Sequence, residues 1–292
     1  MTQSKSAGNA PFDRRLLRIS RERAANNLAN HDFLLREAGG RLLERIVDQR
    51  REFPLALNLG CHRGELSELL SSHPGHGIGQ FVQCDLAVSM AAAGAGLRCA
   101  ADEEALPFAA QSFDLVTSVL GLHWVNDLPG CLVQIRRALR PDGLFLGAMF
   151  GGETLRELRH CLSQAEIACD GGLSPRVAPM VDVRDAGALL QRAGFARPVA
   201  DVDTITVSYA DPIALMRELR GMGESNVLHA RRRSFLRRAT LAAAVKLYHE
   251  KFSDPDGRIL ATFQIVNLTG WAPSDGNVLH NDSLSARRTI RQ

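Results

Sequence analysis

Residues 55–70 read LALNLGCHRGELSELL, and this stretch decides the fold. Its first five residues form a largely apolar run of the length of a buried strand. Gly60 and Gly64 follow at once, and leucines at helical spacing begin at Leu66. The stretch therefore predicts a strand, a tight glycine turn and a helix.

A turn of this kind is suited to a polar or anionic ligand. The N-terminus of a helix presents unpaired N–H groups, and glycine lets a ligand approach the backbone closely. A phosphate-binding P-loop is excluded because Gly64 is followed by Glu65 and Leu66 instead of lysine and serine or threonine. A dinucleotide-binding GxGxxG turn fits poorly, because His62 stands where the middle glycine belongs.

A second predicted strand, residues 80–85, ends in Asp85. In an α/β nucleotide-binding sheet this is the place of a carboxylate that accepts hydrogen bonds from ribose hydroxyls. We therefore expect Asp85 to lie beside the glycine turn and to bind a ribose.

With these residues in place, the chain resembles the class I S-adenosylmethionine (SAM) dependent methyltransferases. Their first motif, an acidic residue followed by three alternating glycines, corresponds here to Asn58, Gly60, His62 and Gly64, so that Asn58 and His62 depart from it. The likeness sharpens in four further segments and runs from about residue 12 to residue 271. These segments resemble the family of mitochondrial complex I assembly factor 5 and its bacterial relatives, and more distantly the malonyl-carrier-protein methyltransferase of biotin synthesis: ADEEALPF (101–108), FDLVTSVLGLHWVNDLP (113–129), LRPDGLFLGAMFGGETL (139–155) and GMGESN (221–226).

The resemblance implies an α/β fold, a seven-stranded and mostly parallel Rossmann-like methyltransferase sheet with helical cap insertions. The expected organisation is an N-terminal helical cap (1–51), a SAM-binding core (52–210) with an insertion at about 151–180, a helical insertion (211–250), the last strand of the core (251–272) and a disordered tail (273–292).

The pattern also predicts the bounds of individual elements. The two N-terminal helices, residues 13–28 and 32–49, could cover the mouth of the active site or simply pad the sheet, and the sequence leaves both possibilities open. Further helices are expected at 88–93, 128–139, 153–168 and 182–193, and further strands at 97–100, 113–120, 144–150, 199–207 and 259–268, the last antiparallel.

The cofactor that the resemblance implies is SAM. Asp102 and Glu103 would meet the adenine amino group, for which a carboxylate is a suitable acceptor, although Asp102 would equally suit the N-cap of a helix. The full set of expected cofactor-binding residues is Asn58, Gly60, Cys61, Gly64, Asp85, Leu86, Asp102, Glu103 and Leu120.

His123 is the expected catalytic residue. It follows the fourth strand, and ligands of open α/β sheets lie beyond the carboxyl ends of the strands. There it could act as a base or anchor the substrate. The alternative is a histidine that is bonded to a backbone carbonyl at the end of the strand.

Composition excludes several other classes. The chain has 292 residues, 45% of them hydrophobic, enough for a core of ordinary size, and no apolar run approaches the length of about 18 residues that a membrane span needs. The start lacks the apolar centre of a secretory signal, so we expect a cytoplasmic protein in a bacterium, or a matrix protein in a mitochondrion, with its arginine-rich start retained. The six cysteines form no CxxC pair, and we expect no metal site.

Charge is unevenly distributed. Residues 1–51 hold 11 Lys/Arg against 6 Asp/Glu, residues 52–210 hold 11 against 18, and residues 211–251 hold 9 against 4. Such basic flanks could attract an acidic partner, but no nucleic-acid-binding motif accompanies them. We therefore expect no nucleic acid as a partner.

The sequence leaves three functions open. The first is methyl transfer from SAM to a small molecule or a protein. The second, implied by the resemblance, is an arginine-hydroxylating assembly factor that acts on a respiratory complex I subunit, although the sequence shows no two-histidine-one-carboxylate arrangement for iron. The third is a non-catalytic assembly scaffold, which the departures at Asn58 and His62 would allow.

Overall fold

The first strand lies at the centre of the sheet. In the computed structural model, which describes residues 10–274, the apolar residues at 53–59 form β1 between two parallel neighbours. Leu57 and Leu59 are completely buried because helices cover both faces of a parallel sheet. The strands are β1 (Phe53–Leu59), β2 (Ile78–Asp85), β3 (Arg98–Ala100), β4 (Phe113–Val119), β5 (Leu139–Phe150), β6 (Ala196–Tyr209) and β7 (Ile259–Trp271).

The seven strands form one sheet in the order β3-β2-β1-β4-β5-β7-β6. The first five strands are parallel, and β7 is antiparallel to both of its neighbours. This confirms the predicted seven-stranded, mostly parallel Rossmann-like sheet and its antiparallel last strand, and the strand predicted at 199–207 lies at one edge.

Helices cover both faces of the sheet. They are α1 (Arg14–Ala24), α2 (Phe33–Asp48), α3 (Glu65–Ser71), α4 (Val88–Ala93), α5 (Leu128–Ala138), α6 (Arg156–Asp170), α7 (Val183–Arg192), α8 (Pro212–Gly221) and α9 (Arg238–Phe252). Helices α5 and α7 pack on one face, and α2, α3, α6, α8 and α9 contribute to the core on the other. Within residues 10–274, no helix combines the length and apolar character that crossing a membrane requires.

Two predicted boundaries are wrong for local backbone reasons. Strand β5 begins at Leu139 instead of residue 144, because Leu139 already pairs with Phe113 and an irregularity around Asp142, which has a φ of +57°, is absorbed within the strand. Helix α6 begins three residues late because Leu155, with a φ of +56°, is left-handed.

The segment predicted as one helical insertion at 211–250 is interrupted. Residues 222–237 are not helical, and they carry all but the first residue of the GMGESN segment and the run Arg231–Arg233 between α8 and α9. Of the predicted disordered tail, residues 275–292 lie outside the described residues. The division into a core and cap segments stays a prediction.

Candidate functional site at the carboxyl ends of the strands

The ends of β1, β2 and β4 and the loop after β3 converge on one point. Gly60 follows β1 with a φ of +67°, a left-handed conformation that favours glycine. A Cβ atom added to Gly60 would lie 3.5 Å from the Cα of Gly121 and 3.6 Å from Oε1 of Glu103. Because of this close approach, the turn brings two loops and a carboxylate together.

Asp85, the last residue of β2, is completely buried at this point. Its carboxylate accepts hydrogen bonds from the backbone N–H of His62 at 3.1 Å and of Ala87 at 2.8 Å. These two bonds fix the orientation of the carboxylate against the glycine turn. Asp85 therefore lies beside the glycine turn, and its binding of a ribose stays a prediction.

Glu103 is the inward member of the acidic pair after β3. It is completely buried, whereas the side chain of Asp102 is 35% exposed. Burial acts to raise the pKa of Glu103, but the charges of Arg21 and Arg14 lower it below its usual range. Asp102 does not cap a helix: its carboxylate accepts from the backbone N–H of Glu104 at 2.9 Å within a turn.

Helix α1 covers this acidic site with two arginines seven residues apart. Arg21 is 1% exposed, and its Nη1 lies 3.0 Å from Oε1 of Glu103 and 3.4 Å from Oδ1 of Asp85. Arg14 pairs with Glu103 and with Asp102, the latter at 2.6 Å. Burial acts to lower the pKa of Arg21, but the two carboxylates raise it above its usual value.

The two N-terminal helices therefore do different things. Helix α1, whose N-terminus is capped by Asp13, lies over the mouth of the site. Helix α2 pads the sheet, since its buried side chains, among them Leu34, Leu42 and Ile46, join the main core. The two helices thus differ in position, and a role of α1 as a cap over an active site stays a prediction.

The turn itself holds His62 in a strained conformation. Its φ is +49°, in the left-handed region, and its Nε2 lies 3.1 Å from the carbonyl oxygen of Val119. Burial and the charge of Arg21 lower the pKa of His62. Gly64, with a φ of +96°, is the N-cap residue that precedes α3.

The other expected cofactor-binding residues lie around the same turn. Asn58 is buried and is bonded to Gln83 at 2.9 Å and to Thr117 at 3.3 Å on the flanking strands. Cys61 is also buried, and its N–H donates to the Cys84 carbonyl. Two more residues complete the set: Leu86, which follows β2 and packs beside α1, and Leu120, which follows β4 with a φ of +48°.

Several buried polar atoms here have no hydrogen-bond partner among residues 10–274. They include Oγ of Ser118, Nη2 of Arg21 and Nδ1 of His62. A Cβ added to Gly121 would lie 3.5 Å from Oγ of Ser118 and 3.7 Å from Nη2 of Arg21, so these two atoms border the glycine turn. Buried polar groups are rarely left unpaired, and these residues therefore fit a polar ligand.

One cavity beside the turn is small. A cavity of about 10 Å³ is bordered by Gly60, His62 and Val119. A volume of this size holds about one water molecule.

His123 contacts a carboxylate and not a backbone carbonyl. Its side chain is completely buried, and Nε2 lies 3.0 Å from Oε2 of Glu224. Nε1 of Trp124 donates to the same oxygen at 2.8 Å. Burial acts to raise the pKa of Glu224, but His123, Arg21 and the bond from Trp124 lower it.

A cavity of about 400 Å³ lies next to this cluster. Trp124 and Glu224 line it together with Phe150, Leu158 and Met216, whereas His123 is not among the lining residues. Glu224 is therefore the ionisable residue of this His123–Trp124–Glu224 cluster that lines the cavity. Sequence reasoning missed Glu224 as a site residue, although it belongs to the quoted GMGESN segment.

Residues 10–274 contain no group of three or more His, Cys, Asp or Glu side chains placed to hold a metal ion.

Comparisons with known proteins bear on the fold and the family of the chain. Residues 57–147 match the methyltransferase domain family. The crystal structure of the YcgJ protein from Bacillus subtilis is 14% identical, with a TM-score of 0.56, and the match covers 82% of this chain and 99% of that one. Phosphoethanolamine N-methyltransferase 2 of Haemonchus contortus, solved with SAM, is 16% identical, with a TM-score of 0.53 and coverage of 88% and 60%. Both likenesses concern the fold.

Two likenesses that span most of both chains define the family. Human mitochondrial arginine-hydroxylase NDUFAF5 is 45% identical over 267 residues, which are 89% of this chain and 76% of the human protein. Malonyl-[acyl-carrier protein] O-methyltransferase from Halorhodospira halophila is 34% identical over 268 residues, 89% of this chain and 88% of that protein. The chain therefore belongs to the methyltransferase-domain family that contains NDUFAF5 and, at greater distance, the malonyl-[acyl-carrier protein] O-methyltransferases.

Proposed function

We propose that the chain binds SAM at the glycine turn and transfers its methyl group to a substrate in the adjacent 400 Å³ cavity. One observation carries the proposal. The carboxylates of Asp85 and Glu103, from two different strand ends, converge on a single point next to Gly60. Two fixed acceptors beside a glycine turn suit the donor groups of an adenosine, namely the ribose hydroxyls and the adenine amino group.

Different residues of the site would bind different parts of the cofactor. Asp85 would accept from the ribose hydroxyls, because its orientation is fixed by two backbone N–H groups. Glu103, and Asp102 at its edge, would accept from the adenine amino group. Gly60 and Gly64 would allow close approach of the ligand, with Asn58, Cys61, Leu86 and Leu120 forming the surrounding wall.

The arginines of α1 must leave these carboxylates before the cofactor can bind. Arg21 now occupies the hydrogen-bonding position between Asp85 and Glu103. The ion pairs keep two buried carboxylates satisfied in the closed protein, since an unpaired buried charge is costly. Helix α1 therefore acts as a cover that the cofactor displaces.

Methyl transfer requires few chemical groups from the protein. SAM supplies an electrophilic methyl group and its own leaving group, so that the chain must align the acceptor and exclude water. Glu224 is placed to accept a hydrogen bond or a proton from an acceptor in the cavity, and its lowered pKa keeps it ionised. His123 then serves as a positioning residue that fixes Glu224.

A second candidate is hydroxylation of a protein arginine, the activity in the name of the human relative. One observation favours it: the carboxylate of Glu224 and the indole of Trp124 share a wall of the cavity. A carboxylate beside an aromatic face is a suitable environment for a guanidinium group. This reaction inserts one atom of O2 into a C–H bond and reduces the other atom to water, so that O2 and a two-electron reductant would have to be supplied from outside the chain. In that case the partner would be a complex I subunit.

Complementation tests the proposed function. Asp85→Ala and Glu224→Gln are introduced separately into a strain that lacks the gene, and complex I activity and biotin requirement are scored. We expect both variants to fail and a control, Asp185→Ala on the exposed face of α7, to complement. Full complementation by both site variants would instead indicate a scaffold.

The mass of the modified product separates the two candidate reactions. SAM with a deuterated methyl group is supplied to the complementing strain, and the acceptor is identified by mass spectrometry. Methyl transfer adds the labelled group, whereas hydroxylation adds one oxygen atom and no label. Addition of oxygen alone would select the second candidate.

A further inference from the structure

A second cavity, of about 630 Å³, lies between α1 and α8. Three arginines face it: Arg23 from α1, and Arg217 and Arg220 from α8. Among the residues that the structure describes, no Asp or Glu side chain lines this cavity. Three like charges around one open space, without lining carboxylates, create a local positive potential.

These arginines have no protein partner within residues 10–274. None of the three side chains makes a hydrogen bond or an ion pair there. Glu218, which lies between the two arginines of α8 in sequence, is bonded to Nδ1 of His31 at 2.7 Å. The cavity therefore presents guanidinium groups whose hydrogen-bonding capacity is free for an anion.

Two arginines that line the cavity of about 400 Å³ have carboxylate partners. Arg176 pairs with Glu166 at 2.5 Å, and Arg232 pairs with Asp170 at 2.7 Å. Their charges are neutralised by the protein itself. The three arginines without a partner in residues 10–274 thus all line the 630 Å³ cavity, here called the outer cavity, and of these three only Arg220 also lines the 400 Å³ cavity, here called the inner cavity.

The two cavities share part of their walls. Arg220, Ser225 and Asn226 line both of them. The inner cavity is lined mainly by apolar side chains such as Leu158, and it reaches Glu224. An elongated molecule could therefore place an apolar body in the inner cavity and an anionic group among the arginines.

We propose that the outer cavity, defined by Arg23, Arg217 and Arg220, binds the anionic group of the substrate. That group is a phosphate or a carboxylate, and it is joined to an apolar portion that occupies the inner cavity. The identification of the ligand as the substrate rests on the proposed function, whereas the anion site itself does not. Arginine suits both anions, because its planar fork can donate two parallel hydrogen bonds.

Three probes of equal chain length test the site: octyl phosphate, octanoate and octanol. Each is titrated by calorimetry into the complete protein below its micelle-forming concentration. We expect both anions to bind and octanol to bind at least about tenfold more weakly, the effect of losing a charge-assisted hydrogen bond. The stronger of the two anions identifies the phosphate or the carboxylate as the natural group.

The variant Arg217→Gln/Arg220→Gln should lose about tenfold in affinity for both anions and keep its affinity for octanol. Both arginines are exposed, so the variant should fold. The matched control is Arg184→Gln, an exposed arginine of α7 outside both cavities. Equal binding of all three probes, or an equal loss in the control, would overturn the proposal.

A parallel titration with SAM keeps the two proposals separable. If octyl phosphate binds through the arginines and SAM does not bind, the anion site stands and the proposed function fails. If SAM binds and neither anion does, the proposed function stands and the anion site fails.

Discussion

Nη1 of Arg21, on the helix that precedes the sheet, lies 3.0 Å from Oε1 of Glu103, on the loop after β3. Both side chains are 1% exposed. Removing one partner of a buried ion pair typically costs about 3–5 kcal/mol. The contact therefore stabilises the closed position of α1 and opposes entry of the cofactor.

Replacing Arg21 should speed the association of SAM. Arg21→Met keeps much of the apolar stem but removes the charge that holds α1 over Asp85 and Glu103. Stopped-flow fluorescence can follow the opening, because Trp124 packs against Phe12 just before α1, with ring centroids 5.3 Å apart. A Trp271→Phe background leaves Trp124 as the remaining tryptophan of the chain.

The control for this experiment is Arg15→Met, an exposed arginine on the same helix. We expect its association rate constant to match that of the parent protein. An unchanged rate constant in Arg21→Met would show that the pair with Glu103 does not limit access to the site.

Replacing His62 by glycine should tighten SAM binding. The left-handed strain of His62, roughly 1–2 kcal/mol, is present with and without ligand, so its relief changes mainly the stability of the fold. The affinity should rise because the imidazole borders the small cavity beside Gly60 and its removal makes room. Calorimetric titration of SAM measures this change.

His62→Asn is the control, because asparagine tolerates the left-handed region and keeps a polar side chain. It should bind SAM between the parent and the glycine variant. Weaker binding by His62→Gly than by the parent would mean that the imidazole contacts the cofactor.

The local features of the site could be predicted from the sequence. The strand, glycine turn and helix of residues 55–70 depend on short-range patterns, and the position of Asp85 follows from the geometry of parallel strands. The contacts Arg21–Glu103 and His123–Glu224 could not be predicted in this way, because they join residues 82 and 101 positions apart. Their partners are fixed by how α1 and the segment after α8 fold back over the sheet.

The errors at element boundaries have a similar cause. The pattern Pro141-Asp142-Gly143 predicts a stop before β5, but these residues lie within the strand, because Leu139 already pairs with Phe113. The spacing of apolar residues carries no information about such backbone pairing. In the same way, it gives no sign of the left-handed Leu155 that delays α6.

Glu65 should make the protein less stable as the pH rises from about 4.5 to 7. Burial raises the pKa of this carboxyl from 4.5 to about 7. Between these values the unfolded chain releases the proton while the folded chain retains it, so the free energy of unfolding falls, by about 1–3 kcal/mol. Well above pH 7 the carboxyl of Glu65 is ionised in both the folded and the unfolded state. The free energy of unfolding then no longer changes with pH through this group.

Glu65→Gln should abolish this loss. Urea unfolding of the parent and the variant is compared at several pH values, and the advantage of the variant should grow across the window. Glu68→Gln, an exposed position on the same helix, should leave the slope unchanged. If the free energy of unfolding depended on pH in the same way in the parent and in Glu65→Gln, the raised pKa of Glu65 would be contradicted.

Substitutions in the pair His123–Glu224 should lower turnover much more than they lower the affinity for the cofactor. Glu224→Gln preserves the shape of the side chain and removes its charge, and His123→Ala removes the group that fixes it. We expect SAM affinity to stay within about threefold in both variants, and turnover to fall about 10²- to 10⁴-fold in Glu224→Gln, as for loss of a proton acceptor.

Measuring the pair together separates positioning from a direct catalytic role. If His123 acts through Glu224, the double variant should be no slower than Glu224→Gln alone. Fully multiplicative losses would mean that His123 contributes independently. Comparison of turnover in the two single variants and the double variant decides between these roles.

The central claim is that the cleft at the carboxyl ends of the strands binds SAM through Asp85. The most direct measurement is a calorimetric titration of SAM into the parent protein, Asp85→Ala and the control Asp185→Ala. Loss of a charge-assisted hydrogen bond of roughly 1.5–3 kcal/mol predicts that Asp85→Ala binds at least about tenfold more weakly, while the control is unchanged. Equal affinity in Asp85→Ala and the parent, or no binding to the parent, would contradict the account.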